Sequence, residues 1–244
     1  MSPSSAEAST SQASTSDAFT TDAFTTLSRL LDDRWTCRKF LPDPVPQEQI
    51  ERLLTMAQRT PSWCNTQPWQ VVVTSGRGTE RFREELAEHV RSQPPATDFD
   101  FPAQYAGVYR DRRRECGFQL YDTLGISKDD ADGRVRQMLR NFELFDAPHV
   151  AVVTTEADLG VYGAVDCGLY VSTFLLGAQS LGLAAAPQAA LASYSPFVRE
   201  HFGIPENRRF VLGISFGYAD PAAPVNAFRT SRAELDEVVT WSLS

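Results

Sequence analysis

The segment PSWCNTQPW, residues 61–69, is the most informative stretch of this sequence. It leads from a run with helical apolar spacing into the apolar run WQVVVT at 69–74, so it predicts a helix-to-strand connection. Two prolines fix its backbone, while its amide and hydroxyl side chains offer donors and acceptors to a flat heteroaromatic ligand. A structural corner around buried tryptophans would explain Trp69 but explains Ser62 and Asn65 poorly. The segment therefore predicts a binding site as well as a corner of the fold.

A second polar segment, RWTCRKF at residues 34–40, lies upstream. In an extended chain the side chains alternate, so the two arginines and the threonine project to one side and Trp35 and Cys37 to the other. Two guanidinium groups and a hydroxyl on one side suit a phosphate monoester, each charge-assisted hydrogen bond contributing about 1.5–3 kcal/mol. For this segment alone, a solvated edge with ordinary salt bridges is the competing interpretation.

Composition limits the class of protein. The chain has 244 residues, 42% of them hydrophobic, which suffices for one domain with a buried core. The net charge of −8 argues against nucleic acid and anionic membranes as partners, because both carry the same sign of charge. The four cysteines form no C-x-x-C pair and the three histidines lack metal-ligand spacing, so no metal site is expected. Reduced thiols and the lack of a signal peptide predict a cytoplasmic protein.

The chain divides into a tail and one domain. Residues 1–21 are rich in Ser, Thr and Ala and contain no Lys or Arg, which predicts a disordered tail. No Pro/Gly-rich linker divides the remainder, so residues 22–244 are predicted to form a single domain.

Apolar periodicity predicts helices and three strands within that domain. The predicted strands are 69–74, 149–154 and 210–216. The predicted helices lie around residues 24–31 and 50–57, over 79–91, 112–124, 132–144 and 163–181, near 196–202, and after Ser231 with Glu234 completing a capping box. Helices outnumber strands and separate them, which indicates an α+β fold with a sheet packed between helices.

These motifs together resemble the FMN-dependent nitroreductase family. The resemblance rests on Arg-x-Thr-x-Arg-x-Phe at 34–40, a Val-Pro-initiated helix, and Pro-Ser-x-x-Asn-x-Gln-Pro-Trp at 61–69, in that order. The segments GLAAAPQAA at 182–190 and RTSR at 229–232 look like the family's flavin-ring segment and second phosphate-binding segment. The resemblance implies a three-layer α-β-α sandwich with a mostly antiparallel central sheet, and a homodimer with FMN at the subunit interface.

The resemblance also implies a set of FMN-binding residues in three groups, for the phosphate end, for the ring from the same chain, and for the ring from the partner subunit. The group for the phosphate end comprises Arg34, Trp35 through its backbone, Thr36, Arg38, Arg229 and Arg232. The ring would be contacted from the same chain by Pro187, Gln188, Ala189 and Ala190, and from the partner subunit by Ser62, Trp63 and Asn65. Some family members carry an acidic residue and a glycine in place of Ala189 and Ala190, so contacts there are expected from backbone groups.

The implied activity is electron transfer from NAD(P)H to nitroaromatics, quinones or similar electron-poor small molecules by a ping-pong mechanism. No catalytic side chain is expected, because the flavin N5 carries the chemistry. A variable lid over 98–127 is expected to present aromatic side chains to the acceptor, namely Phe101, Tyr105, Tyr109, Phe118 and Tyr121. Deiodination, azoline oxidation, or flavin binding without turnover are the alternatives on the same fold.

Two residues and one helix carry further expectations. Cys64 is expected to be a small packed residue rather than a redox group. Asp166 interrupts an apolar helix and is either a buried charge or part of a dimer surface. The helix predicted over 163–181 is apolar almost all round, which fits burial on two sides, including by a second subunit.

Overall fold

A computed structural model describes residues 11–243, with side chains from Asp22 onward. Over these residues the chain forms eight α-helices and four β-strands. The helices are α1 (Ser11–Asp33), α2 (Gln47–Ala57), α3 (Arg77–Ser92), α4 (Gly107–Thr123), α5 (Ala131–Leu139), α6 (Gly160–Ser180), α7 (Ser195–Phe202) and α8 (Leu235–Val238). The strands are β1 (Gln70–Val73), β2 (His149–Glu156), β3 (Ala184–Gln188) and β4 (Arg208–Gly217).

The four strands form one sheet in the order β1-β2-β4-β3, and every neighbouring pair is antiparallel. The central strands β2 and β4 consist largely of buried residues, as expected for strands covered on both faces. Their pairing shifts register between Val153 and Thr154, where a bulge bends the sheet.

Helices cover both faces of the sheet. On one face, α2 and α6 pack around Ala151, Val153, Ile214 and Phe216. On the other face, α3 and α7 pack around alternate residues of the same strands, including Val150 and Phe210. This alternation places successive side chains in opposite layers. The prediction of an α+β fold with a mostly antiparallel sheet between helical layers is confirmed.

Helix α6 is the central helix of the first layer, packing against α2, β2 and β3. Its length and composition would also allow it to cross a membrane, and it is the single such helix in the described part of the chain. Core helices of other proteins meet the same criterion. One face of α6 is covered by the domain, and the opposite face leaves Val161, Tyr162, Val165 and Leu169 exposed.

Several element boundaries differ from the predictions. Helix α1 begins at Ser11 and so extends into the segment predicted as a tail, whose residues 1–10 lie outside the described residues. The helix predicted over 132–144 ends at Leu139, and a short 3-10 turn with left-handed Phe145 follows. The division of the chain at residue 22 stays a prediction.

The C-terminal helix and the fourth strand also differ. Ser231 does not cap a helix, because the C-terminal helix begins only at Leu235. The Ser231 hydroxyl instead donates to Glu115 Oε1 at 3.1 Å. The capping box is instead formed by Glu234 and Glu237, at the start of the four-residue helix α8. Strand β3 was not predicted, since its sequence AAAPQ has no large apolar residue and contains a proline. The proline is tolerated because β3 is an edge strand.

The packing of α6 on the sheet yields a stability prediction. Phe174 is fully buried and meets Phe216 edge-on, with ring centroids 5.5 Å apart. Phe174→Ala should lower the free energy of unfolding by about 3–5 kcal/mol, measured by denaturant titration, because it leaves a cavity in a closely packed layer. Phe118→Ala, at an exposed position on α4, should lower it by less than about 1 kcal/mol. Equal losses for the two variants would contradict this packing.

Candidate functional site

Residues from the two ends of the domain line one cavity of about 410 Å³. We call it the arginine cavity after its four guanidinium groups, those of Arg34, Arg38, Arg229 and Arg232. Its other lining residues are Leu31, Asp32, Asp33, Trp35, Thr36, Phe228 and Thr230. Thus the structure brings together all six residues that the sequence assigns to a phosphate end.

The first wall of the cavity follows helix α1, which ends at Asp33. The extended segment beyond it is fixed to the edge strand β3, because Cys37 N donates to Ala185 O at 3.1 Å and Thr36 forms a parallel bridge with Ala185. Cys37 itself is fully buried. The strict alternation predicted for this segment is only partly correct, since Trp35 lines the cavity together with the arginines.

The second wall of the cavity is the C-terminal segment 228–232, and Asn226 holds this segment against the first wall. Asn226 Oδ1 accepts from Arg38 N at 3.0 Å, and its Nδ2 donates to Lys39 O at 2.7 Å and to Asp220 O at 2.9 Å. The side chain is buried and uses both its donor and its acceptor groups in these bonds. Because Arg38 and Asn226 are 188 residues apart, sequence reasoning missed this connection.

Aromatic rings orient two of the four guanidinium groups. Arg229 lies over the Trp35 ring at 4.3 Å from the centroid, and Arg38 lies 5.4 Å from the centroid of Phe228. Arg229 Nη1 also donates to Asn226 O at 2.8 Å. The role of Trp35 therefore includes its ring, in addition to the backbone groups that the sequence suggested.

The cavity is electropositive. Among residues 22–243, none of the four guanidinium groups forms an ion pair with a carboxylate, although Asp32 and Asp33 also line the cavity. Burial lowers the pKa of Arg34, and the positive charge of Arg232 lowers it further. Both effects disfavour the cation, and a bound anion would offset them.

The segment 187–190 contains the last two residues of β3 and the two residues after it, so it continues from the cavity along the sheet edge. The Gln188 side chain is buried and hydrogen-bonded within the domain. Its Nε2 donates to Asn141 O at 2.8 Å and its Oε1 accepts from Ser215 Oγ at 2.6 Å. Pro187 and Ala190 are half-buried and Ala189 is exposed. A ligand can therefore meet this segment at its backbone and small side chains.

Residues 62–67, which we call the signature loop, lie apart from the arginine cavity. Within one chain, Trp63 lines a separate cavity of about 210 Å³ with Tyr162 and Asp166, and the two cavities share no lining residue. The Trp63 side chain is 64% exposed, and its ring centroid lies 4.9 Å from that of Tyr162. Ser62 and Asn65 therefore do not reach the arginine cavity of their own chain.

The backbone of the signature loop is unusual. Three of its residues that are not glycine have left-handed φ angles, namely Cys64 (51°), Asn65 (55°) and Gln67 (48°). Such residues cost about 1–3 kcal/mol each and cluster at functional sites. Cys64 is exposed, so the prediction of a packed residue is wrong for the single chain.

The predicted lid contains α4, none of whose residues is buried. This helix lies beside the C-terminal segment, through the Ser231–Glu115 bond and an ion pair of 2.9 Å between Arg112 and Glu237. Its aromatic residues do not gather at one point. Phe118 and Tyr121 line a cavity of about 390 Å³, Tyr105 lies under Arg113, and Phe101 and Tyr109 are exposed.

Comparison with known proteins agrees with this arrangement. The profile described as "Nitroreductase family" matches residues 31–218. Nitroreductase NfnB of Mycolicibacterium smegmatis is 37% identical over 215 residues, which cover 88% of this chain and 92% of that protein. Chloronitrobenzene nitroreductase of Comamonas testosteroni is 34% identical over 215 residues, covering 87% and 95%.

Solved structures give the same result. The FMN-dependent nitroreductase NfnB from Mycobacterium smegmatis, determined in complex with NADPH, superposes with a TM-score of 0.86 and 36% identity, covering 90% of this chain and 100% of that one. The profile match ends at residue 218, so it does not cover Asn226, Arg229 and Arg232; the structure places the two arginines in the cavity and Asn226 beside it. The profile match, the fold and relatives aligned over nearly their whole length all give the same assignment. This chain belongs to the nitroreductase family.

Proposed function

We propose that this chain is an FMN-dependent oxidoreductase that passes electrons from NAD(P)H to nitroaromatic compounds, quinones or similar electron-poor small molecules. The observation that carries the proposal is the arginine cavity, in which four guanidinium groups face one space and none is paired with a carboxylate of residues 22–243. The relatives described above, named for nitroreduction and in one case determined with NADPH, support the choice of donor and acceptor.

The residues of the cavity fit the phosphate end of FMN. A phosphate monoester carries up to two negative charges and three acceptor oxygens, and guanidinium groups match this geometry with paired donors. Arg34, Arg38 and Arg232 would hold the phosphate, and Thr36 would donate a hydroxyl hydrogen bond. Arg229, stacked on Trp35, would close the same site from the C-terminal side.

The ring of FMN would lie along residues 187–190, because these continue from β3, to which the segment with Thr36 is bridged. Bound there, FMN supplies the hydride and electron transfer chemistry, so the chain needs no acid or nucleophile of its own. The task of these residues is to orient the ring, with contacts from backbone groups at Ala189 and Ala190. Ser62, Trp63 and Asn65 would approach the ring from a second subunit.

The lid would recognise the acceptor. Tyr105, Tyr109, Phe118 and Tyr121 lie in or next to α4, which packs beside the C-terminal segment that carries two of the arginines. Tyr105, Tyr109 and Phe118 are exposed and Tyr121 is half-buried, and aromatic rings of this kind suit stacking against nitroaromatic rings or quinones. Because α4 buries none of its residues in the single chain, it is free to adapt to ligands of different size.

A homodimer would complete the site. The uncovered face of α6 presents Val161, Val165 and Leu169 with helical spacing, and Gly168 between them leaves room for close approach of another helix. The exposed Trp63 and Tyr162 rings adjoin this face. A contiguous exposed apolar surface of this kind marks a protein interface. It would bring the signature loop of one chain to the flavin of the other.

The activity is tested by kinetics on protein shown to contain flavin by its absorbance spectrum. Initial rates measured with NADPH and nitrobenzene, each varied at several fixed concentrations of the other, should give parallel double-reciprocal lines. Parallel lines are expected because the donor leaves before the acceptor occupies the same face of the site. Intersecting lines would contradict the ping-pong mechanism, and protein without flavin absorbance or NADPH oxidation would contradict the proposed function.

The phosphate site is tested by Arg38→Met. Loss of a charge-assisted contact of about 1.5–3 kcal/mol should weaken FMN binding roughly 10- to 100-fold, as measured by titration of FMN-free protein with FMN. Arg38→Lys should weaken it less, because a charge remains but the paired donors are lost. Arg81→Met, at an exposed i,i+4 pair on α3, serves as the control and should bind FMN as the wild type does. Wild-type affinity in Arg38→Met would contradict the assignment.

The dimer is tested by two matched substitutions. Val165 on α6 and Val135 on α5 are 52% and 51% exposed. Val165→Glu should convert a dimer into a monomer in sedimentation experiments at micromolar protein, since it places a charge in an apolar interface. Val135→Glu should leave the dimer intact. Thermal unfolding of both variants checks that they fold. A wild-type protein that is monomeric while holding FMN would contradict this arrangement.

A further inference from the structure

Asp166 is a buried carboxylate to which the proposed phosphate and ring contacts give no role. Its exposed fraction is 5%, and it lies in the middle of the apolar helix α6. Among residues 22–243, no lysine, arginine or histidine forms an ion pair with it. Both of its oxygens instead accept from the backbone amide of Trp63, at 3.2 and 3.3 Å. Burying a carboxylate whose one hydrogen-bond partner among the described residues is a backbone amide lowers the stability of the fold. The cost indicates that the contact has a role other than stability.

The position of the signature loop on the domain depends on contacts with residues outside the loop. Its left-handed residues Cys64, Asn65 and Gln67 are strained, and the bonds within the loop only fix its internal shape. These bonds run from Gln67 N to Ser62 Oγ at 2.9 Å and from Gln67 Nε2 to Asn65 Oδ1 at 3.2 Å. Neither bond fixes where the loop lies on the domain.

Three contacts attach the loop and the following Pro68 to the domain, two at the far end and one at the near end. At the far end, Gln67 Oε1 accepts from Gln58 Nε2 at 2.9 Å, next to the end of helix α2. Pro68 O also accepts there from Arg208 Nη2 at 2.9 Å, and Arg208 is itself bonded to strand β2 through Thr154. At the near end, the bond is the one from Trp63 N to Asp166. Tyr162 and Asp166 lie on one face of α6 and, with Leu159 just before the helix, line the same cavity as Trp63.

We propose that Asp166 is a positioning residue, whose carboxylate holds the Trp63 amide and thereby sets the outward orientation of Ser62, Trp63 and Asn65. The inference rests on the proposed function, in which these three residues meet the flavin of a second subunit. Asp166 acts through the loop and touches neither the flavin nor the substrate. A charged acceptor suits this task because hydrogen bonds to an ionised group are roughly twice as strong as neutral ones.

A role in positioning and a role in fold stability predict different results for Asp166→Asn. Asparagine keeps the shape and one acceptor oxygen but removes a buried charge that has no cation partner. The substitution should therefore leave the midpoint of unfolding unchanged or raise it, because a neutral amide is easier to bury than a carboxylate. The substitution should nevertheless weaken the bond to the Trp63 amide and so increase the mobility of residues 62–67.

The experiment compares three variants with the wild-type dimer. In Asp166→Leu, which has no acceptor, amide hydrogen exchange over residues 62–67 should be about tenfold faster and FMN binding to the FMN-free protein about tenfold weaker, as expected for one lost charge-assisted bond. Asp166→Asn should change both quantities in the same direction but less. The control is Asp98→Asn, since Asp98 is also a buried carboxylate, with a side chain 4% exposed that accepts from Phe210 N at 2.8 Å, forms an ion pair with Arg199 at 3.2 Å and makes no hydrogen bond to residues 62–67 among the described residues. It should change neither quantity.

The outcomes separate this inference from the proposed function. Wild-type loop exchange in both Asp166 variants, or faster exchange with unchanged FMN affinity, would overturn the positioning role. A lower unfolding midpoint in Asp166→Asn with unchanged loop exchange would also overturn it and assign the residue to the core. A wild-type protein that binds no FMN would refute the proposed function instead, while the exchange rates would still decide whether Asp166 holds the loop.

Discussion

The hydrogen bonds of Asn226 are the constraint on which the site depends. They join a segment that directly follows the first helix to one near the end of the chain, and they use backbone groups on both sides. Once these two segments are fixed, the guanidinium groups of Arg34, Arg38, Arg229 and Arg232 face one space. Like charges repel, so their proximity has to be maintained by neutral contacts such as this amide and the Trp35 and Phe228 rings.

The fold and the chemical character of the site were largely predictable from the sequence. Strongly periodic segments such as those of α2 and α3 were assigned within a few residues, because burial of one face of a helix imposes a regular apolar spacing on its sequence. The arginines at 34 and 38 were recognisable because alternation in an extended chain is a local property. The two at 229 and 232 were recognised by resemblance, since they lie in a segment with no regular pattern.

Features that depend on distant contacts were not predictable. The strand β3 has small side chains and a proline, and it forms because β4 and the segment around Thr36 pair with it. The stacking of Arg229 on Trp35 joins residues that no local rule relates. The left-handed conformation of Cys64 and Gln67 in the signature loop was likewise not predictable, because nothing in these two residue types favours it. Each of these features is set by tertiary structure rather than by propensity.

The position of Asn226, Arg229 and Arg232 after β4, the last strand of the described sheet, has a consequence for biosynthesis. A chain emerging from the ribosome exposes its N-terminal part first, so α1 and the segment with Arg34 are available long before their C-terminal counterparts. The central sheet is already complete when β4 has been made, at Gly217. Arg229 and Arg232 are thus made after every strand of the described sheet, so the second wall of the arginine cavity is added to a sheet whose strands have all been synthesised.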